Sequence, residues 1–189
     1  MSESASQVQK FYGKYRGTVV QNVDPMFRGR IMCEVPDVLG LVPSTWCEAC
    51  APLAGPTGPP MGVYLVPPIG AGVWVEFEQG DPGKPIWSGC RWGLPSDVPL
   101  AAIAGNPADP SIVIQSLLQQ AIVVSDMPPS PPPPVMPPTP TTGGVILRST
   151  TGASIVVNDA GVFISNGKGA TVELLGPSVM INKVALVVT

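Results

Sequence analysis

The chain has 189 residues, with 21 glycines, 25 prolines, only 10 basic and 13 acidic residues, and no histidine. The missing histidine excludes Ser-His-Asp and Cys-His nucleophiles, imidazole bases and histidine-bearing metal sites. A net charge of −3 argues against a role in binding nucleic acid, because that affinity depends on lysine and arginine neutralising phosphates. At 12 % charged and 44 % hydrophobic residues, the chain has little charge to cover a monomer, so we expect part of its surface to be buried in an assembly.

The chain contains no obvious targeting or membrane segment. No run of about 18 apolar residues is present that would span a membrane. Residues 1–17 lack the apolar centre and basic flank of a secretory signal. We therefore expect assembly in the cytoplasm, where the four cysteines would remain thiols.

The aromatic residues are concentrated in the first half of the chain. All of them except Phe163 lie between Phe11 and Trp92, so a conventional core is expected only there. After an N-terminal arm at 1–12, residues 13–93 show short strand patterns separated by turn residues. The expected strands are 15–20, 29–35, 44–51, 63–66, 72–78 and 85–92. This number of short strands favours a closed β-barrel, which leaves no exposed strand edge.

Residues 94–126 are expected to be a connector. Asp109 and Pro110 are typical of a helix start, and residues 111–124 favour a short helix, although their β-branched residues leave a strand open. Residues 127–142 follow and are rich in proline, which predicts a stiff, extended spacer between two modules. Such a run could also bind an SH3-type domain, but a spacer accounts for it without a partner.

Residues 143–189 contain a short internal repeat. Glycines at 144, 152, 161, 169 and 176 separate β-branched runs, and this spacing is typical of β-helices. One copy of the segment has too few large side chains to make a core, so we expect several copies to wind into a shared prism. The expected prism core consists of alternate apolar residues: Ile155, Val157, Val162, Ile164, Val172, Leu174, Val179 and Ile181.

The first half also carries a recognisable family pattern. Residues 15–20, 29–36 and, most specifically, 64–82 resemble the oligonucleotide/oligosaccharide-binding (OB) domain of contractile-tail spikes. This group includes phage baseplate assembly protein V, VgrG and the spikes of extracellular contractile injection systems. The C-terminal repeat is similar to the intertwined trimeric β-helix needle of the same proteins. The residues that match the family motif, with structural roles implied, are Gly29, Arg30, Pro36, Trp46, Pro67, Gly70, Val73, Phe77, Glu78, Gly80, Asp81, Pro82 and Gly89.

The resemblance implies an all-β protein with an OB barrel, a proline-rich linker and a needle. It further implies a homotrimer that sits on a trimeric hub at the barrel end and leads the tube of a phage tail or injection system through a target envelope. The membrane would then be only the target of puncture. Residues 94–142 are too short for the lysozyme domain of some relatives. The uncharged, mostly apolar end, residues 186–189, predicts a separate conical tip-cap protein.

Two motifs suggest other functions. Cys47 and Cys50 have the spacing of a redox-active CxxC pair, and with Cys33 and Cys90 they could form a four-thiolate zinc site. The first needs a helix N-terminus and the second a second CxxC pair, so small buried thiols are favoured, with no catalytic residue, metal or cofactor.

The alternative function is that of a nucleic-acid-binding or adaptor OB protein. Residues 1–93 hold seven basic and eight acidic residues, with no basic cluster beyond Arg28 and Arg30. We therefore expect the tryptophans to pack in the core or against neighbours rather than to stack on bases, and expect no nucleic-acid partner.

Overall fold

The computed structural model describes residues 9–55, 59–103, 108–127, 143–183 and 185–188. The chain divides into two compact units, Met1–Gly93 and Leu94–Thr189. Both are built on β-sheets, and the helices are short. The expected all-β class is therefore confirmed, whereas the intertwined β-helix remains a prediction.

The first unit is a five-stranded sheet. Its elements are β1 (Tyr15–Gln21), β2 (Met32–Glu34), α1 (Pro36–Leu39), β3 (Glu48–Ala49), β4 (Gly72–Phe77), a 3₁₀ turn (Glu78–Gly80) and β5 (Pro85–Arg91). The strand order is β2-β1-β4-β5-β3; β3 runs parallel to β5, and the other neighbours are antiparallel. A bridge between Ile31 and Cys47 joins the β2 side of the sheet to the β3 side, as expected of an OB barrel.

The core of the barrel is complete within one chain. On β4, buried Val73, Val75 and Phe77 alternate with more accessible residues, because side chains of a strand point to opposite faces. Phe11 of the N-terminal arm packs against the rings of Tyr15 and Phe77, and its N–H donates to the Gly80 carbonyl over 2.9 Å. The buried set is Val19, Ile31, Cys33, Val35, Cys47, Val73, Val75, Phe77 and Trp87.

The second unit is an eight-stranded sheet in which every strand pairs with its neighbours in the sequence. All seven pairings are antiparallel. A 3₁₀ turn (Pro95–Asp97) and α2 (Leu100–Ile103) precede the sheet. Its strands are β6 (Ile112–Gln115), β7 (Ala121–Ser125), β8 (Gly144–Arg148), β9 (Ser154–Asn158), β10 (Gly161–Ser165), β11 (Thr171–Leu175), β12 (Ser178–Ile181) and β13 (Leu186–Val188).

The helix favoured over residues 111–124 is wrong. These residues form β6 and β7, and the good helix formers between them make a turn in which Gln119 has φ +63°. The β-branched residues pair across the hairpin, so cross-strand packing overrides local helix propensity.

The sheet also begins earlier in the chain than the sequence indicates. Ser125 of β7 pairs with Gly144 of β8, so residues on the two sides of the proline run are neighbours in one sheet. The proline-rich spacer predicted at 127–142 lies, apart from Met127, outside the described residues. The five-part division of the chain stays a prediction.

Two of the repeat glycines stand where strands approach each other too closely for a side chain. A Cβ at Gly144 would collide with the Val157 carbonyl oxygen, and one at Gly161 with the Leu174 carbonyl oxygen. A glycine is therefore required on steric grounds at the start of β8 and of β10.

Candidate assembly surface

One face of the eight-stranded sheet is entirely aliphatic at the positions of β6 to β12 that point to it. Cross-strand pairing joins these side chains into two unbroken ladders, and Leu186 of β13 extends the second. We call them together the aliphatic face. The first ladder is Ile112, Val124, Val145, Val157, Val162, Leu174 and Val179, and the second is Ile114, Ile122, Leu147, Ile155, Ile164, Val172, Ile181 and Leu186.

The eight residues expected to form the prism core all lie on the aliphatic face. The structure brings Val157, Val162, Leu174 and Val179 into the first ladder, and Ile155, Ile164, Val172 and Ile181 into the second. Sequence reasoning missed the part contributed by β6, β7 and β8. The β-branched runs at 112–114 and 122–124 are the available signal for strands, but the helix pattern outweighs them.

A single chain leaves most of the aliphatic face in water. Twelve of its side chains have relative exposures of 38 % to 67 %, and Val162, Val172 and Val179 are half-buried. Contiguous exposed apolar surface of this kind marks sites of protein association. Aliphatic side chains can be buried against another apolar surface, but they provide no group for catalysis.

The opposite face of the sheet is already buried within the unit. Its central ladder includes Val123, Ile146, Val156 and Phe163, which are almost inaccessible. Alanine, serine and threonine flank this ladder, so short side chains surround the large ones. Runs such as residues 155–157, apolar at three successive positions, are the sequence signal for a strand whose two faces are both to be buried.

In the barrel, the motif residue Arg30 belongs to a buried ion pair. Its Nη2 donates to Asp24 Oδ1 over 2.7 Å, and its guanidinium lies 5.5 Å from the centroid of the Trp46 ring. Asp24 also accepts hydrogen bonds from the N–H groups of Met26, Arg28 and Arg30. The hydrogen bond from Arg30, with these backbone donors, holds the pKa of Asp24 well below its usual range, and the same carboxylate raises the pKa of Arg30.

A second part of the motif, residues 78–82, forms the tight connection between β4 and β5. Asp81 Oδ1 accepts from the N–H of Gly83, and the Glu78 N–H donates to the Lys84 carbonyl. Gly80 has φ +74° and lies so close to the N-terminal arm that a Cβ would be 3.1 Å from the Phe11 nitrogen. These motif residues therefore have local structural roles.

The remaining motif residues are distributed through the barrel. Pro36 begins α1, Gly70 donates its N–H to the Val19 carbonyl over 2.8 Å, and Val73 and Phe77 lie in the core. Gly89 lies within β5 with φ +136°. Pro67 accepts a hydrogen bond from the Asn22 side chain at its carbonyl, and Pro82 lies in the turn after Gly80.

The four cysteines fall into two pairs with different environments. Cys33 and Cys47 are buried in the barrel core, whereas Cys50 and Cys90 are exposed, so the expectation of buried thiols is wrong for the second pair. Hydrogen bonding with Cys47 and burial raise the pKa of the Cys33 thiol, and the same hydrogen bond lowers that of Cys47. Among the described residues, no group of three or more cysteines and carboxylates is close enough to hold a metal ion.

Three basic residues of the barrel, including Arg28 and Arg30, are paired with carboxylates. Arg28 Nη2 donates to Glu48 Oε2 over 2.9 Å, and Lys14 Nζ lies 2.6 Å from Glu76 Oε1. Arg30 is paired with Asp24, as described above. Trp87 is buried, and its Nε1 donates to the Gly29 carbonyl over 3.1 Å, whereas Trp92 is 65 % exposed and does not pack in the core of its own chain. These contacts disfavour a basic groove with free stacking aromatics.

The described part of the chain has no helix of the length and apolarity that a membrane crossing needs.

Comparison with known families assigns both units. Residues 15–92 match the family model of the type VI secretion system/phage-baseplate injector OB domain. Residues 111–187 match that of the phage baseplate V C-terminal trimerisation domain. No curated protein matches the chain.

The second match begins at β6 and so covers the two strands that precede the proline run, together with the whole aliphatic face up to Leu186. A trimerisation domain over these strands supports a homotrimer associated with a baseplate. Both families describe parts of baseplates and injectors rather than enzymes. With an injector OB domain followed by the trimerisation domain, the chain belongs to the baseplate spike proteins of the phage baseplate V type.

Proposed function

We propose that this protein is the trimeric structural spike at the tip of the inner tube of a contractile injection machine, without enzymatic activity. The observation that carries the proposal is the aliphatic face. It is exposed in one chain, and the matched trimerisation domain covers the strands that form it. Three copies would remove these side chains from water at roughly 25 cal/mol per Å² of apolar area buried.

The same arrangement suits a puncturing device. In the proposed needle, three aliphatic faces form a shared interior, and backbone hydrogen bonds between adjacent strands satisfy the polar groups of each chain. Stacked strands with a dry interior resist bending and unfolding. The target envelope would be the membrane that the needle crosses.

The two ends of the spike require different partners. We propose that the barrel end docks on a trimeric hub of the baseplate, as the injector OB match suggests. Residues 186–189 are uncharged and mostly apolar, and we propose that a conical tip-cap protein covers them in the three copies. Assembly in the cytoplasm before incorporation into a phage tail or injection particle follows from the same proposal.

The mass of the full chain in solution is the first test, followed by electron microscopy of the purified protein. We expect three times the chain mass, and particles with a slender projection at one end. A stable monomer would contradict the proposal. A trimer without a projection would support the proposed assembly and contradict the proposed needle.

The tip cap has a separate test. Mass spectrometry of intact particles should detect a small protein that stays bound to the spike when the hub is removed. Its absence from otherwise complete particles would contradict the proposed cap and leave the spike itself unaffected.

A further inference from the structure

The loop between β1 and β2 holds one aromatic side chain out in water on a fixed backbone. Phe27 is 85 % exposed, and its backbone has φ +54°, a conformation that is uncommon for a bulky non-glycine residue. Its N–H donates to the Asp24 carbonyl, and the N–H groups of Met26 and Arg28, on either side of it, donate to the Asp24 carboxylate. The loop therefore presents the ring with little conformational freedom left to lose on binding.

The same barrel contains an apolar cavity that this ring does not fill. The cavity has a volume of about 510 Å³, within the range of sites that bind small apolar groups. Phe27 does not line it, although the next two residues, Arg28 and Gly29, do. The hydrogen bond from Trp87 to the Gly29 carbonyl fixes the wall of the cavity to the end of the loop. Its lining includes Tyr64, Leu65, Val66 and Trp87, with Cys50 and Cys90.

We infer that Phe27 of one copy inserts into the Tyr64–Trp87 cavity of a neighbouring copy in the trimer. In a cyclic assembly each copy offers one ring and one cavity, so three identical contacts leave none of them unfilled. The inference rests on the homotrimer of the proposed function. It adds a contact between barrels, outside the trimerisation domain at residues 111–187.

The size of the contact indicates why a second copy is the occupant. One phenylalanine buries about 150–250 Å², whereas a stable free-standing interface needs about 1,200–2,000 Å². A separate protein would not be held by such a contact alone. Barrels joined to a common trimerisation domain meet at an effective concentration in the millimolar range, where a small contact suffices.

Two native thiols in the cavity permit a direct test in the full-length protein. In Phe27→Cys, a short bis-maleimide should join the new thiol to Cys50 or Cys90 of the next copy, which gives covalent dimers and trimers on a denaturing gel. Leu41→Cys is the matched control, because Leu41 is equally exposed at 87 % but does not line the cavity. Phe27→Cys combined with Cys50→Ser and Cys90→Ser should lose the covalent products.

The native mass of every sample separates the two hypotheses. A trimer of Phe27→Cys without covalent products, or with products that persist in the Cys50→Ser, Cys90→Ser background, would overturn the barrel contact and leave the spike intact. A monomeric wild type would contradict both the barrel contact and the trimeric spike. As an independent readout, maleimide should label Cys90 several-fold faster in the Phe27→Ala trimer than in the wild type, and equal rates would also overturn the contact.

Discussion

Strand β4 of the barrel and strand β9 of the second unit use their two faces differently. On β4, Val73, Val75 and Phe77 enter the core, and Glu76 on the other face pairs with Lys14. On β9, the buried face holds Val156 and the exposed face holds Ile155 and Val157. A strand with one apolar face completes its burial within its own chain. A strand with two apolar faces is left with one that only another chain can cover.

The largest expected effect comes from a charge on the aliphatic face. Ile164→Asp would place three carboxylates in the shared interior, and each unpaired buried charge costs several kcal/mol. We expect a monomer by light scattering, with the barrel still folded. Leu117→Asp, in the exposed β6–β7 turn, is the control and should remain trimeric. A trimeric Ile164→Asp would show that the aliphatic face is not the interface.

A large-to-small substitution in the barrel core should destabilise the barrel and leave the trimer intact. Ile31 is fully buried, so Ile31→Ala is expected to lower the free energy of unfolding of the barrel by about 2–5 kcal/mol. All four tryptophans lie in this unit, so their fluorescence in denaturant reports on it alone. Val23→Ala, at an exposed position, should change stability by less than about 0.5 kcal/mol. Loss of the trimer in Ile31→Ala would show that the two units are not independent.

The Asp24–Arg30 pair predicts how the barrel responds to acid. The pKa of Asp24 is lower in the folded barrel than in the unfolded chain, where a carboxyl of this type titrates near 3.9. Its stabilisation is therefore present above about pH 4 and is lost as the pH falls through the folded value. Asp24→Asn should melt lower at pH 7 and lose less stability between about pH 4 and pH 2. Asp37→Asn, which removes an exposed carboxylate, should follow the wild type, and identical acid profiles for Asp24→Asn and wild type would exclude this role.

The smallest expected difference concerns protein concentration. Dilution favours dissociation of an assembly, so the thermal transition of the second unit should shift to lower temperature on dilution, and that of the barrel should shift less. Circular dichroism follows both units and tryptophan fluorescence follows the barrel. A barrel transition that moved equally with dilution would indicate that the barrels are held together as firmly as the sheet.

The sequence reveals the features that depend on neighbouring residues. Alternation along residues 72–78 predicts the inward face of β4, and alternation along residues 155–181 predicts half of the aliphatic face. Features that depend on distant residues were not predicted. Residues 111–124 contain both helix formers and β-branched runs, and pairing with the partner strands decides in favour of the sheet.

The barrel shows the same limit. No local sequence pattern predicts that Cys33 lies beside Cys47, or that Arg30 lies between Asp24 and Trp46. The Phe27 loop and its neighbouring cavity likewise depend on hydrogen bonds between residues that have no recognisable spacing. Assembly was nevertheless predictable, because a shortage of charge and a surplus of aliphatic residues are properties of composition.

The strand order of the second unit also bears on how the spike is made. Because β6 to β13 follow one another in space as in sequence, most of the pairing is local, and local pairing forms fast. Each hairpin can close as soon as its strands leave the ribosome, before a second copy is within reach. The newly made chain then carries its aliphatic face unprotected until it meets two others. The yield of trimer should therefore depend on how quickly copies find each other, and sparse synthesis should leave more of the chain as exposed monomer.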